Sequence, residues 1–230
     1  MLALATVLIL SYLIGSIPSS LWAGKIYKSI DIRDYGSGNA GATNTFRVLG
    51  WKAGVIVLLF DFSKGLLCTA VISQIAYAIG SGPVYPGAWD LDSFLKISCG
   101  IFAVAGHMFP VYASFNGGKG AATAAGMLYG IEPISISIAI VVFITIILST
   151  RYVSLGTICS VAIYPISQFV LIGYFEMSID TSVVIFTSIL AVAIIAKHHG
   201  NIRRLLNGTE NRISSFKPAK GKINEDKHPA

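Results

Sequence analysis

The stretch MLALATVLILSYLIGSIPSSLWAG, residues 1–24, carries no charged side chain, and Lys25 is the first ionic residue after it. About 20 apolar residues suffice to carry a helix across the ~30 Å hydrocarbon core of a bilayer. A cleaved secretory signal would place its positive charge before the apolar run. Here the charge follows, which predicts an anchored first helix with its N-terminus outside. Outward from this stretch, further apolar runs occur at 53–79, 97–109, 121–131, 134–150, 155–175 and 181–196. Those at 97–109 and 121–131 are short for a span and flank a glycine-rich segment, so broken or re-entrant helices are expected there. The expected fold class is an all-α polytopic integral membrane protein with about seven transmembrane helices, five being the alternative. The N-terminus is expected outside and the C-terminus in the cytoplasm.

The composition of the whole chain agrees. Of 230 residues, 54% are hydrophobic and only 12% are charged, against ~25% charged in a soluble domain. Mean hydropathy is +0.71. This excludes a disordered chain and speaks against an ordinary soluble domain. Cys68, Cys99 and Cys159 each sit in an apolar run with no Cys-x-x-Cys pair. They read as small buried hydrophobes, and a disulfide-stapled fold is excluded. Apart from Lys64 and Lys96, every Lys and Arg falls in 25–52, at Lys119, at Arg151, or from Lys197 onward. The loops at 80–93, 132–133 and 174–182 hold Asp90, Asp92, Glu132, Glu176 and Asp180 instead. This asymmetry marks the basic segments as cytoplasmic. It also assigns the net charge of +6 to topology and anionic lipid. No basic stripe on a soluble domain speaks for nucleic acid as a partner. One transmembrane domain is expected over 1–212, followed by a polar cytoplasmic tail at 213–230.

Three polar segments interrupt the apolar pattern, all on the inferred cytoplasmic side. The first is Ser37-Gly38-Asn39-Ala40-Gly41-Ala42-Thr43-Asn44, with Arg47 nearby. Its neutral hydrogen-bonding groups beside an arginine suit a polyol phosphate; a plain polar turn is the alternative. The second is Gly106-His107-Met108-Phe109-Pro110, continuing through Asn116-Gly117-Gly118-Lys119-Gly120 to Thr123. Glycines allow backbone N–H groups to approach an anion, and a helix start adds partial positive charge. A phosphate seated before the run from Ala121, with Lys119 as its point charge, fits this pattern. An interhelical turn with a snorkelling lysine fits it too. The third is His198-His199-Gly200-Asn201-Ile202-Arg203-Arg204-Leu205-Leu206-Asn207-Gly208-Thr209-Glu210. In it His198 and Asn201 share a helix face.

Two intramembrane charges, Asp61 and Lys64, stand three residues apart on one helix. They read equally well as a functional pair and a structural one. Arg151 and Ser154 mark an inner helix junction. Several catalytic patterns are missing: there is no His-x-x-x-x-Asp, no nucleophile elbow and no metal-spaced His/Asp/Glu set. No metal and no cofactor are expected.

Taken in order, the three segments resemble the signature motifs of the bacterial acyl-phosphate:glycerol-3-phosphate acyltransferases. Ala40 stands where Pro is usual in the first motif, and Asn116 where Lys is frequent in the second. The third matches through its Asn-Ile-x-Arg-Leu-Leu-x-Gly-x-Glu core. The resemblance spans about residues 1–212 and implies a single transmembrane acyltransferase domain there. It implies acyl transfer from acyl phosphate to the 1-hydroxyl of glycerol 3-phosphate, with lysophosphatidic acid and phosphate as products. It also implies a bacterial inner-membrane enzyme working at the cytoplasmic side in contact with membrane lipid, and a peripheral acyltransferase supplying the acyl phosphate. Carried onto this sequence, it marks Ser37, Arg47, Lys119, Ser154, His198 and Asn201 as catalytic. Gly38, Asn39, Thr43, Asn44, Gly117, Gly118 and Gly120 are marked as substrate-binding. Lys119 and the neighbouring N–H groups take phosphate, and Arg47, His198 and Asn201 orient glycerol 3-phosphate. The base is His198 or a phosphate oxygen of the donor. The second is preferred, because no carboxylate in the sequence is placed to orient His198. A transporter for a phosphorylated metabolite is the competing class. It would ordinarily show internal repeats and a midplane site, whereas these motifs share one face.

Overall fold

The computed structural model describes residues 2–79, 90–210 and 212, and among these it holds helices and no strand. The expected external loop around 80–89 and the tail from 213 lie outside the described residues. Contacts sort the chain into two compact units, divided between Ile131 and Glu132.

In the first unit, α1 (Leu2–Gly15) and α2 (Ser19–Lys28) are separated by a break at Pro18. Proline has no N–H and cannot continue the ladder. Lys25 and Lys28 occupy the last turn of α2, where cations complement the helix dipole. A loop containing a short turn at Ile32–Asp34 leads to α3 (Ala42–Leu49). Next come α4 (Trp51–Leu67), a wide turn at Cys68–Ile72 and α5 (Ser73–Ala78), together one apolar segment. Helix α6 (Leu91–Met108) is capped by Asp90, whose carboxylate accepts the Ser93 N–H at 2.9 Å. It is therefore full length and not the short helix expected from 97–109. Its polar first turns are stabilised by an Asp92–Lys96 pair one turn apart (2.7 Å). Helix α7 (Ala121–Ile131) is as short as expected.

Small residues set the crossings. A Cβ on Gly15 would collide with the Ala103 carbonyl, and one on Gly106 with the Tyr12 carbonyl, so α1 and α6 touch backbone to backbone. Gly65 and Gly126 do the same for α4 and α7, against the Thr123 and Phe62 carbonyls. Close crossing through glycine is the usual means of helix association where lipid gives no hydrophobic drive. It sets the start of α7 directly against α4.

In the second unit, α8 (Pro133–Thr150) opens with proline at its first turn and Glu132 as cap. That carboxylate accepts the N–H groups of Ile134 and Ser135, so one acid of the expected external loops serves a helix end. Helix α9 (Val153–Phe175) joins α10 (Thr181–Lys197) through a buried Thr187 hydroxyl donating to Gln168 Oε1 at 2.7 Å. Helix α11 (His199–Leu206) leaves α10 at a 56° bend.

Five segments among the described residues are long and apolar enough to cross a membrane, or six if α10 and α11 count as one bent span. Seven are expected from sequence. One of the missing segments is α7, whose 11 residues reach only about 16 Å at 1.5 Å per residue; where the bent pair is not counted as one span, the other is α10, with 17 residues. Leu148, Phe169 and Val192 remain largely exposed on these helices, as lipid-facing side chains are. Of the cysteines, Cys68 and Cys99 are buried and Cys159 is half-buried.

Candidate active site

Asn44 organises the first polar segment. It is fully buried, and its amide nitrogen donates to the carbonyls of Ile32 and Tyr35 at 3.0 Å each. Its Oδ1 accepts the Ser37 N–H at 2.9 Å. A residue expected to meet substrate therefore spends its side chain pinning the loop that displays Ser37. The loop turns through left-handed residues at Gly36 (φ 63°) and Gly38 (φ 71°), where a side chain would be strained. Ser37, Thr43 and Arg47 are exposed and Asn39 is half-buried. The Ser37 hydroxyl and the Arg47 guanidinium have no hydrogen-bond or ion-pair partner among the described residues. Arg33, absent from the sequence-derived set, ties this loop to the next. Its guanidinium donates to the carbonyls of Ala113 and Asn116 at 3.3 Å each. Asp31 holds Arg33 at 2.6 Å. The hydrogen bond from Arg33 keeps the Asp31 carboxyl below the usual carboxylate range.

In the second segment Gly117 and Gly118 lie flat on the end of α6. The expectation that their N–H groups cradle an anion needs correction. The Gly117 N–H donates to the Met108 carbonyl and the Gly118 N–H to the His107 carbonyl, both at 3.2 Å. These two residues are glycine for space. A Cβ on Gly117 would strike the His107 carbonyl, and one on Gly118 would meet the His107 ring and the Ala40 carbonyl. The first and second motifs thus touch. The open amides begin one residue later, at Lys119 and at Gly120 (φ 77°), which have no partner among the described residues. Lys119 is exposed and makes no ion pair among them.

Beneath this loop lies a buried cluster. Asp61 and Lys64 are 1% and 3% exposed and His107 8%. Asp61 Oδ1 accepts the Ser19 hydroxyl at 2.6 Å and pairs with Lys64 Nζ at 2.9 Å. Lys64 also donates to the carbonyls of Ile17 (2.9 Å) and Gly15 (3.2 Å) and lies 3.3 Å from His107 Nδ1. The α1–α2 break exposes those two carbonyls, and the ammonium satisfies them. Sequence spacing marks the Asp61–Lys64 pair but not its histidine, which comes from another helix.

The second unit holds Ser154, His198 and Asn201. Ser154 and Asn201 both donate to Glu210 Oε1, at 2.9 and 2.8 Å, and Arg204 Nε donates to Oε2 at 2.7 Å. Asn201, then Arg204 and Ser154, hold the Glu210 carboxyl below its ordinary range. The Ser154 hydroxyl proton is spent on Glu210, so towards any other group Ser154 acts as an acceptor. His198 Nδ1 lies 2.8 Å from the Ile194 carbonyl. A carbonyl only accepts, so Nδ1 carries the hydrogen and Nε2 keeps its lone pair in the neutral ring. A backbone carbonyl thus orients His198, where sequence offered no carboxylate for that task.

The family model of glycerol-3-phosphate acyltransferase matches residues 5–208. The glycerol-3-phosphate acyltransferase of Salinibacter ruber is 43% identical over 227 residues, covering 97% of this chain and 98% of that protein. That of Chlorobium chlorochromatii is 45% identical, with 93% and 98% covered. A crystal structure of PlsY, an integral membrane glycerol 3-phosphate acyltransferase in its glycerol 3-phosphate form, superposes with a TM-score of 0.67. It is 35% identical, over 92% of this chain and 96% of that one; its lysophosphatidic acid form gives 0.68. The chain belongs to the glycerol-3-phosphate acyltransferase family of integral membrane enzymes.

Proposed function

We propose that this acyltransferase takes its acyl group from acyl phosphate and forms 1-acyl-glycerol 3-phosphate, lysophosphatidic acid, and inorganic phosphate. The observation that carries the reading is that Arg47 of the first segment and Lys119 of the second are both uncommitted cations among the described residues, the latter with open amides at Lys119 and Gly120. Two phosphate-bearing substrates repel each other, and fixed positive charge is what brings them together. The solved relative has forms with glycerol 3-phosphate and with lysophosphatidic acid, which are the acceptor and product of this reaction.

The roles follow from what each group has left to offer. Lys119, its amide and that of Gly120 at the start of α7 take phosphate, with Gly117 and Gly118 shaping the loop. Arg47 and Ser37 donate to phosphate oxygens, with Gly38, Asn39 and Thr43 beside them and Asn44 as the pin. In the second unit His198 Nε2 and Ser154 Oγ are acceptors, suited to a substrate hydroxyl, and Asn201 orients it. The 1-hydroxyl oxygen attacks the acyl carbon, the new ester C–O bond forms, and the acyl–phosphate C–O bond breaks. Phosphate is a good leaving group, so positioning and charge dominate over acid catalysis. The hydroxyl proton passes to His198 Nε2 or to an oxygen of the departing phosphate. His198→Ala separates the two routes: loss of kcat with loss of the acidic limb of its pH profile marks the imidazole. An unchanged profile marks the phosphate. The Lys/Arg asymmetry supports a cytoplasmic active site in the bacterial inner membrane, within reach of a peripheral enzyme that makes acyl phosphate.

The deciding experiment offers purified protein labelled glycerol 3-phosphate with palmitoyl phosphate or with palmitoyl-CoA. Labelled lysophosphatidic acid from the phosphate alone is the expected result. Product from the thioester alone would overturn the donor assignment. Transmembrane flux of intact glycerol 3-phosphate without conversion would revive the transporter reading.

A further inference from the structure

A buried ion pair is weak evidence of a stabilising role, since apolar replacements of similar volume commonly hold a fold as well. Ionisable groups inside a membrane segment are costlier still and mark function by default. The Asp61–Lys64–His107 cluster is such a group of three, and its contacts run in two directions. One direction is the α1–α2 break: Lys64 holds the carbonyls of Gly15 and Ile17, and Asp61 holds the Ser19 hydroxyl. The other is the glycine segment. His107 stands on Lys64 through Nδ1 at 3.3 Å and lies 3.6 Å from Asp61 Oδ1. The far side of its ring, Nε2, faces Gly118 so closely that no Cβ fits between them. Its own carbonyl accepts the Gly118 N–H. The residue after Gly118 is Lys119.

We propose that Asp61, Lys64 and His107 are positioning residues for acyl transfer. They reference the Gly117–Gly118 segment, and with it the Lys119 ammonium and the open amides that follow, to the rigid crossing of α1, α4 and α6. Lys64 and His107 line a small cavity together with Gly117 and Gly118. The cluster sets where the phosphate-holding loop stands and gives the α1–α2 break a fixed partner. The inference rests on the proposed role of Lys119 in binding phosphate. It adds that this role depends on charges buried below the loop.

The test is steady-state kinetics on purified, lipid-reconstituted enzyme, with each variant's thermal midpoint measured alongside. His107→Gln keeps a polar side chain of similar length but removes the ring that packs against Gly118. The double variant Asp61→Asn/Lys64→Met removes both charges without leaving one buried alone. In folded protein, each should raise KM for glycerol 3-phosphate or acyl phosphate by about tenfold or more, the scale of a displaced binding group. Lys64→Arg, which keeps the charge, should recover part of the loss. Gly118→Ala approaches the contact from the loop side and should give the same KM rise if the buried variants fail to fold. Folded variants whose KM values for both substrates stay within about twofold of the parent overturn the proposal, whatever happens to their thermal midpoints. Lys119→Ala is run in parallel. If it keeps full activity, the phosphate-binding reading of the loop has failed. If it is inactive while the cluster variants behave like the parent, only the positioning role has failed.

Discussion

The polar regions of the two units use their carboxylates in opposite ways. In the first unit two acids are held by scaffold cations: Asp31 by Arg33, and Asp61 by Lys64. Arg47 and Lys119 are left unpaired among the described residues. In the second unit Glu210 sits on Ser154 and Asn201, two of the side chains the motifs mark, together with Arg204. The first region therefore presents free positive charge on pinned loops, ready for an anion. The second presents oriented acceptors around a carboxylate, ready for a hydroxyl. Substitutions should act differently on the two sides, through charge in the first and through orientation in the second.

The largest expected effect breaks the charged side. Lys119→Ala should lower kcat/KM by ~10²–10³-fold, the usual cost of removing one preorganised donor to developing charge. Turnover like the parent's would remove Lys119 from the site. On the other side, His198→Ala should lower kcat by ~10²-fold, with KM for acyl phosphate little changed. A rise in that KM alone would place His198 among the anion-binding groups and erase the contrast. Asn44→Ala sharpens the comparison through stability. It removes three hydrogen bonds, taking the acceptor from the Ser37 N–H and one donor each from the carbonyls of Ile32 and Tyr35, at a cost of ~1–3 kcal/mol, read as a lower thermal midpoint. An unchanged midpoint would show that the loop does not need its pin. Arg33→Met should cost under about 1 kcal/mol, because the Asp31–Arg33 pair is partly exposed and screened. Its clearer signature is a raised KM for glycerol 3-phosphate at an unchanged kcat.

The smallest effect concerns Glu210. Its folded-state carboxyl titrates below the ordinary value of 4.5. The depressed pKa means that its contribution is complete above the unfolded value and is lost as pH falls through the folded one. The stability advantage of the parent over Glu210→Gln should therefore be constant near neutrality and vanish in acid. An advantage that persisted at the lowest pH would locate its cause outside that carboxylate.

Glycine loops show where sequence and structure part company. Gly117-Gly118-Lys119-Gly120 announces a turn that a phosphate can approach. Only the folded chain shows that the first two amides are consumed by the carbonyls of Met108 and His107. Asn44 is legible as a polar residue in a functional motif. That it points inward onto its own loop depends on where Ile32 and Tyr35 end up. Glu210 belongs to a recognisable motif, yet its bond to Ser154 crosses 56 residues of chain, beyond any local spacing rule.

By itself the sequence determined what depends on neighbours along the chain. Apolar runs become helices because a backbone in hydrocarbon must satisfy its own hydrogen bonds. The placement of lysine and arginine sets an expected orientation, and three ordered motifs mark the chemistry. The tertiary structure alone decided what depends on residues far apart in sequence. It brought His107 onto the Asp61–Lys64 pair across 43 residues and set the glycine loop on His107. It also made α7 a helix of 11 residues, packed against α4 through Gly65 and Gly126. Helix formation is a local free-energy balance. Whether a polar group is free or already satisfied is settled only when distant segments pack and exclude water from between them.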